Sequence, residues 1–342
     1  MTNSKCYTSL AAVFLTLSLT SSPIVAQEAV KIGVMNDQSS VYADLSGLGG
    51  VEAARMAIED FGGKVLGHPI EIISADHQNK PDVAANLEQA KPLLEDAARA
   101  GARLAVLPEN FAFMGLRDAD KRAIGESEGA GPIQDFLAAT ASRLHMWIVG
   151  GTIPLRAGDD GRVAAASVVY DADGKRAARY DKIHLFDVNI PGRTEHYRES
   201  AHVAPGSETV VIDTPVGRLG LSVCYDVRFP ELFRDLSAAG AQILTVPSAF
   251  TSPTGRAHWE TLLCARAIEN LCYVVAPAQS GFHPNGRETY GDSMIVDYWG
   301  RVVQRLPRGR GCITAQIDLE QQAEVRQSFP ALQHRVLQES RH

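Results

Sequence analysis

The chain has 342 residues, of which 45% are hydrophobic and 21% are charged, and its formal net charge of −7 is spread along the sequence. A chain without a basic patch offers no electrostatic basis for binding nucleic acid, which argues against that class of function. Its length is sufficient for one large hydrophobic core or two smaller ones, and therefore for an enzyme.

Residues 1–26 have the pattern of a secretory signal peptide. Lys5 precedes an apolar stretch over residues 10–19, and the small residue Ala26 follows Pro23. The apolar stretch is too short to span a membrane comfortably, so we expect cleavage near Ala26 and a periplasmic or secreted protein. The alternative is a leader that is never exported, on a cytoplasmic protein. No later stretch resembles a transmembrane helix, so we expect no membrane contact after signal removal.

The cysteine spacing does not predict a disulfide framework or a metal site. Cys6 would leave with the leader, which leaves Cys224, Cys264, Cys272 and Cys312 in a long chain. The ten histidines also form no metal-binding motif. An exported enzyme with a working thiol must keep that thiol out of disulfides in an oxidising compartment.

The mature chain begins with alternating strand and helix patterns. An apolar strand over residues 30–35 precedes a helical pattern over residues 51–61, and a second strand over residues 69–73 precedes a helix over residues 83–100. This βαβα order predicts a mostly parallel sheet.

The alternation continues to the end of the chain. The patterns predict helices at 133–144, 230–239 and 258–269, single strands at 146–150, 242–246 and 272–276, and hairpins at 167–180 and 293–304. We therefore expect one α/β enzyme domain without internal repeats.

Three strand-like runs end in residues that fit the chemistry of a thiol nucleophile. Residues 103–107 lead to Glu109, residues 177–181 lead to Lys182, and residues 218–223 lead to Cys224. Active sites of open α/β sheets lie beyond the carboxyl ends of their strands. The three side chains are therefore candidates for one catalytic site.

Each of the three has a chemical role in such a site. A thiol is a strong nucleophile only as a thiolate, so the carboxylate of Glu109 would activate Cys224 by taking its proton. Attack on a carbonyl develops an oxyanion, which the ammonium of Lys182 and the backbone N–H of Tyr225 would stabilise.

Taken singly, the same residues also fit ordinary structural roles. Cys224 would more often be a buried core residue, Glu109 part of a surface ion pair, and Lys182 a solvated lysine. The joint pattern favours the catalytic interpretation.

Residues 82–335 resemble the nitrilase superfamily of carbon-nitrogen hydrolases. The resemblance rests on Leu107-Pro108-Glu109-Asn110, on residues 180–187 around Lys182, on residues 223–232 around Cys224, and on agreeing blocks at 247–250, 254–260, 265–270 and 330–335. These blocks are specific in sequence, order and spacing.

The resemblance implies a four-layer αββα sandwich with a Glu-Lys-Cys triad. Glu109 would be the general base and acid, Lys182 would hold the tetrahedral intermediate, and Cys224 would form a thioester. Glu199 occupies the place of a second glutamate that positions the site in many relatives. No metal or organic cofactor is needed, and a homodimer with a contribution from residues 321–338 is expected. The branch it resembles acts on ω-amides of small dicarboxylates and on deaminated glutathione.

Three positions depart from the pattern of that branch. Cys264 stands where an arginine is usual, Asp292 where a histidine is common, and Tyr298 where a proline precedes Trp299. If the missing arginine binds a substrate carboxylate, the specificity or the activity changes. The alternative is that these positions are structural and tolerant.

The front of the chain does not resemble a nitrilase. Residues 27–68 look like a βα fragment of a type I periplasmic binding protein for amino-acid-like ligands, and the hydrolase domain is expected over residues 69–335. We expect residues 69–74 to serve as the first strand of the hydrolase sheet, because length and apolar pattern are all that a buried strand requires. The preceding residues would form a small appended βα unit.

The sequence thus predicts hydrolysis of a small carboxamide to a carboxylic acid and ammonia. Within enzymes, the alternatives are a nitrile hydrolase, an N-carbamoyl hydrolase and an inactive hydrolase-like chimera. From a different class, the alternative is the amino-acid-binding component of a transporter. Such a component needs two complete lobes, and this sequence contains only the first fragment of one.

Overall fold

The structure is a computed structural model that describes residues 30–36, 43–62, 64–65, 68–76, 82–192, 195–283 and 285–337. The predicted signal peptide lies outside the described residues. Within the described ranges, no helix combines the length and the apolar character that crossing a membrane requires.

The first described elements form a small βαβ unit. They are β1 Val30–Asn36, α1 Ala43–Asp60, β2 Lys64–Val65 and β3 His68–Asp76. β1 and β3 are parallel over seven residue pairs, and β2 joins the other side of β3 in antiparallel orientation. The sequence pattern predicts a later start for α1, because its first turns contain Gly47, Gly49 and Gly50, which have low helix propensity.

The pairing of β3 differs from the sequence-based expectation that residues 69–74 complete the hydrolase sheet. The structure pairs β3 with β1 and β2 in a separate three-stranded sheet. β1 offers β3 a parallel partner over seven residues, joined through a crossover helix, which is the usual connection of parallel strands. The strand at residues 104–106 that opens the hydrolase part is only three residues long and offers a shorter edge.

The next elements build the first large sheet. They are α2 Val83–Arg99, β4 Leu104–Val106, α3 Pro132–Leu144, β5 Trp147–Val149, β6 Ile153–Ala157, β7 Arg162–Tyr170, β8 Arg176–Asp181, β9 Asp187–Asn189, β10 His196–Arg198 and β11 Val203–Ala204. Six strands pair in the order β11-β7-β5-β4, with β6 and β8 also on β7, while β9 and β10 form a separate pair. β4 is the edge strand, and a cavity of about 1160 Å³ lies between β4, α2 and residues 313–318.

The remaining elements build the second large sheet. They are β12 Val211–Thr214, β13 Gly217–Leu221, α4 Pro230–Ala238, β14 Ile243–Thr245, α5 Ser252–Asn270, β15 Tyr273–Ala276, β16 Ser280–Phe282, β17 Glu288–Tyr290, β18 Ser293–Val296, β19 Val302–Leu306 and α6 Leu319–Ser328. The sheet order is β12-β13-β14-β15-β18-β19, and β16 pairs with β17 as a hairpin.

Alternating side chains place the two sheets face to face. Ile148 and Val168 pack into a core with residues of α2 and α3, whereas their neighbours Val149 and Val169 pack into the core formed with the second sheet. Successive strand residues point to opposite faces, so one sheet contributes to both cores. With α4 and α5 on the outer face of the second sheet, the layers are αββα. The predicted four-layer sandwich with a small N-terminal addition is confirmed.

Candidate active site

Glu109 is buried just beyond the end of β4. The chain turns sharply there, because Asn110 has a φ of 57° and its N–H donates to Thr152 Oγ1 at 2.9 Å. Gly151 lies against the same turn, and a Cβ at this position would meet Pro108 O at 2.0 Å. Only glycine permits this close approach, which fixes the backbone that presents Glu109.

Lys182 follows β8 and is 1% exposed. The backbone N–H of Lys182 donates to Ala165 O at 3.1 Å, so the backbone continues the pairing of β8 with β7, while the side chain points to Glu109. The ammonium donates to Glu109 Oε1 and to Glu199 Oε2, each at 2.9 Å. Burial disfavours the charged form, but the two carboxylates outweigh it and hold the pKa of Lys182 well above its usual value.

Glu199 begins a short helical turn directly after β10. Besides the bond from Lys182, its Oε2 accepts a 2.7 Å hydrogen bond from the N–H of Phe186. Burial opposes ionisation of this carboxyl, and the positive charge of Lys182 and the hydrogen bonds that it accepts lower its pKa. Lys182 is therefore held between two carboxylates, and the hydrogen bonds to Glu109 and Glu199 fix the position of its ammonium group.

Cys224 is the first residue of a short helical turn, Cys224–Arg228, after β13. Its φ of 49° lies in the left-handed region, which non-glycine residues seldom adopt and which is frequent at functional sites. The N–H of Cys224 donates to Pro247 O at 2.9 Å, and this bond secures the strained turn against the residues after β14. The backbone conformation of Cys224 therefore sets the position of its thiol.

The surroundings of Cys224 favour the neutral form of its thiol. Burial raises its pKa far above the usual range and the carboxylate of Glu109 adds to that effect, against the opposing influence of Lys182 and the N–H of Ala249. A neutral thiol beside a carboxylate is suited to giving up its proton during attack rather than before it.

One small pocket brings together all the site residues that the sequence predicts. It is lined by Glu109, Lys182, Glu199, Cys224 and Tyr225. Tyr225 is the second residue of its helical turn, where backbone N–H groups have no partner within the helix, so its N–H can serve an oxyanion. Its ring contacts Phe186 edge to face at a centroid distance of 5.0 Å and forms a wall of the pocket.

Asp226 is a site-building residue that the sequence reasoning did not single out. It is fully buried and accepts hydrogen bonds from Tyr180 Oη at 2.7 Å, Val223 N at 2.8 Å and His184 N at 3.1 Å. It therefore ties the turn of Cys224 to the chain on both sides of Lys182. The signal in the sequence was an acidic residue two positions after a candidate nucleophile.

Arg287 is a second residue that sequence reasoning missed. It lines the same pocket, with its guanidinium carbon 4.5 Å from the centre of the Tyr197 ring. It lies immediately before β17, in a hairpin that the sequence analysis left unassigned.

The three departures from the family pattern lie away from the pocket. Asp292 forms a two-point ion pair with Arg305, at 2.6 and 2.7 Å, and Tyr298 Oη donates to Gln321 Oε1 at 2.8 Å. Cys264 is a free, partly exposed thiol on α5. None of the three lines the pocket of Cys224, which supports the structural interpretation of these positions.

Comparisons with known proteins show which family the chain resembles. The family model described as carbon-nitrogen hydrolase matches residues 70–327, and a model described as periplasmic binding protein matches residues 29–100. The chain is 44% identical over 262 residues to the deaminated glutathione amidase of Synechocystis sp. (strain PCC 6803 / GT-S), a match that covers 75% of this chain and 95% of that relative.

Two solved structures have the same fold. The NitFhit protein of Caenorhabditis elegans is 39% identical with a TM-score of 0.67, over 75% of this chain and 63% of that one. Nit3 of Saccharomyces cerevisiae, described as a member of branch 10 of the nitrilase superfamily, is 31% identical with a TM-score of 0.67, over 77% of this chain and 93% of that one.

Proposed function

The chain belongs to the carbon-nitrogen hydrolase family, and we propose that it is an amidase that hydrolyses the terminal carboxamide of a small organic acid to a carboxylic acid and ammonia. The observation that carries the proposal is the single pocket in which Glu109 and Lys182 lie beside the strained Cys224. A nucleophile, a base and an oxyanion-stabilising cation are the parts that acyl transfer requires.

The first half of the reaction forms a thioester. The carboxylate of Glu109 takes the thiol proton of Cys224 as the sulfur attacks the amide carbon. The carbonyl oxygen becomes an oxyanion, which accepts hydrogen bonds from Lys182 Nζ and the N–H of Tyr225. Glu109 then returns the proton to the amide nitrogen, the carbon–nitrogen bond breaks, and ammonia leaves.

The second half releases the acid. A water molecule gives a proton to Glu109 while its oxygen attacks the thioester carbon, and the same two donors stabilise the second oxyanion. The carbon–sulfur bond breaks, the acid leaves, and Glu109 returns its proton to the sulfur of Cys224. Glu109 thus alternates between base and acid, and amide and water are converted to acid and ammonia without any other reactant.

As the substrate class we propose ω-amides of small dicarboxylates and amides of the deaminated glutathione type. The names of the relatives support this choice, because the Synechocystis protein is a deaminated glutathione amidase and matches along almost its whole length. A panel that contains such amides, the corresponding nitriles and N-carbamoyl compounds tests it. Ammonia release restricted to the amides is expected, whereas a preference for nitriles or N-carbamoyl compounds would replace this proposal with one of those activities.

We also propose that the protein is exported and that residues 27–68 derive from a solute-binding protein. The leader-like pattern of residues 1–26 and the match of the second family model to residues 29–100 support both points. N-terminal sequencing of the protein from a periplasmic fraction is expected to begin near Gln27. The transporter alternative predicts tight binding of a free amino acid, which calorimetry with a panel of amino acids detects.

For the assembly we propose a homodimer, which analytical ultracentrifugation tests.

A further inference from the structure

A large cavity lies at the edge of the first sheet, and its described lining shares no residue with the pocket of Cys224. It has a volume of about 1160 Å³ and lies between β4, α2 and residues 313–318. We call this cavity the β4 slot. Protein interiors contain few voids larger than one water molecule, which occupies about 30 Å³. A cavity of this size at a sheet edge is therefore more than a packing defect.

One wall of the β4 slot is the free edge of β4. The N–H of Leu107 donates to Val149 O at 2.9 Å, toward β5. Because backbone groups alternate in direction along a strand, the N–H and C=O groups of Leu104 and Val106 point to the opposite edge. No described strand pairs with that edge. All three residues of β4 are only half-buried, whereas the strands of parallel sheets are usually buried on both faces.

The other wall has the burial pattern of a strand without being paired as one. Within residues 313–317, the side chains of Ile313, Ala315 and Ile317 are half-buried and the two between them are exposed. This period of two is typical of a β-strand. In the described part of the chain, however, the backbone groups of residues 314–317 form no hydrogen bond with another backbone group. A strand between the two walls would pair with backbone groups on both sides.

The position of α2 indicates which segment reaches the β4 slot. Asn86 Nδ2 donates to Ala112 O at 3.0 Å, which places the first turn of α2 at the carboxyl end of β4. A strand that lies parallel to β4 ends on that same side. β3 precedes α2, and the intervening residues 77–82 match the length of about two to six residues that is usual between a strand and a helix.

β3 meets the requirements of two different sheets. α1 connects it to β1 and α2 connects it to β4, and a crossover helix is the usual connection between parallel neighbours. The carbon-nitrogen hydrolase model begins at residue 70 and the periplasmic binding protein model extends to residue 100, so β3 and α2 lie where the two matches overlap. The apolar residues Ile70, Ile72 and Ile73 are suited to a buried strand in either sheet.

We propose that β3 exchanges between these two sheets. In one state it pairs with β1, as in the structure, and in the other it enters the β4 slot as a strand parallel to β4, between β4 and residues 313–317. The exchange moves β4, which leads to Glu109, from the edge of the first sheet to its interior. This proposal is independent of the amidase function, and its tests do not use turnover.

A disulfide scan detects β3 in the β4 slot. Ala105 packs toward α2 from the middle of β4 and provides one position of each pair. Ala105→Cys is combined in turn with Ile70→Cys, Glu71→Cys, Ile72→Cys, Ile73→Cys and Ser74→Cys. Successive strand residues point to opposite faces, and a disulfide requires Cα atoms within about 7 Å and side chains that point toward each other. Intramolecular disulfides are therefore expected at alternate positions of the scan and not at the positions between them.

A second pair reports the state that the structure shows. Ile32 and Ile72 are Cα partners in the pairing of β1 with β3, so Ile32→Cys/Ile72→Cys should also form a disulfide. The native thiols of Cys6, Cys264 and Cys312 are replaced by serine in every variant, whereas Cys224 and Cys272 are buried.

The exchange requires both kinds of disulfide, so the absence of either contradicts it. Disulfides at all five scanned positions without alternation indicate random collision, and the proposal is then wrong. It is also wrong if the disulfides join two chains, which a non-reducing gel shows as a dimer, because a second copy then occupies the β4 slot.

Hydrogen exchange tests the same proposal without a cysteine in β4. Oxidised Ile32→Cys/Ile72→Cys holds β3 beside β1 and leaves the N–H groups of Leu104 and Val106 unpaired, whereas reduction allows β3 to enter the β4 slot. These two N–H groups are expected to exchange at least about threefold more slowly after reduction. The N–H of Ala105, which faces β5 in both states, is the internal reference and should not change. Equal exchange of Leu104 and Val106 in the oxidised and reduced protein would overturn the proposal.

Discussion

Tyr180 Oη donates a 2.7 Å hydrogen bond to Asp226 Oδ2, and this buried bond connects the end of strand β8 to the helical turn that carries Cys224. The two residues belong to different halves of the sandwich, so the bond sets the position of Lys182 relative to the thiol. Burial and the nearby charge of Asp226 raise the pKa of Tyr180, which keeps this hydroxyl a donor at every physiological pH.

Removing this bond should damage stability and catalysis together. Tyr180→Phe leaves Asp226 Oδ2 without one of its donors and is expected to lower the free energy of unfolding by about 2 kcal/mol. A shift of the Cys224 turn should also reduce kcat by about tenfold or more. Urea unfolding and ammonia release measure the two effects. Tyr298→Phe, which removes a hydrogen bond far from the pocket, should lower stability by about 1 kcal/mol without changing kcat. Equal kcat in the two variants would contradict the role of the bond.

Lys182→Met should be both inactive and unstable. The variant leaves the carboxylates of Glu109 and Glu199 buried side by side without a cation, which should cost about 3 to 5 kcal/mol of unfolding free energy. Adding Glu199→Gln removes one of the two charges and should restore part of the stability but no turnover. Urea unfolding monitored by tryptophan fluorescence measures the series. If Lys182→Met alone is as stable as wild type, the two buried carboxylates do not require Lys182 for stability.

Glu109→Gln should separate thiol reactivity from hydrolysis. The carboxylate of Glu109 raises the pKa of Cys224, so its neutral replacement should lower that pKa and shift alkylation by iodoacetamide to lower pH. The variant should nevertheless release no ammonia, since no group remains to transfer protons. The pH profile of alkylation is measured against Cys224→Ala, which gives the background from the other thiols. A profile shifted to higher pH would contradict this assignment.

His283 should make the protein less stable in acid. Burial and the nearby Arg287 lower its pKa to about 4, whereas an exposed histidine titrates at about 6.5. Its contribution to stability is therefore complete above the unfolded-state pKa and is lost as the pH falls from about 6.5 through 4.

The corresponding measurement compares urea unfolding at pH 7.5 and 4.5. Wild type should lose about 2 kcal/mol more between these two pH values than His283→Gln, which keeps a polar group beside Thr289 but does not titrate. Parallel losses in the two proteins would show that His283 titrates alike when folded and unfolded.

The sequence was sufficient to predict the site residues that can be identified from their position next to a predicted strand. Glu109, Lys182 and Cys224 each follow a strand-like run, and active sites of α/β proteins lie beyond the carboxyl ends of their strands. Arg287 and Asp226 were missed because their roles arise from contacts with residues far away in the chain, such as Tyr197 and Tyr180.

The pairing of β3 shows a second limit of sequence reasoning. An apolar pattern predicts that a segment is a buried strand, but it does not predict which sheet edge that strand joins. Residues 69–74 had two edges available, β1 and β4, and the structure pairs them with the longer one. Choosing between two edges depends on strand length and connection, which periodicity does not encode.

Ammonia release from succinamate by wild type, Cys224→Ala and Cys264→Ser is the most direct test of thioester catalysis at Cys224. Cys264 is a free cysteine outside the pocket, so its serine variant should retain wild-type turnover. Cys224→Ala should lose at least about 10⁴-fold in kcat while unfolding at the same urea concentration as wild type, because only the nucleophile is removed. Undiminished ammonia release by folded Cys224→Ala would contradict the proposed mechanism.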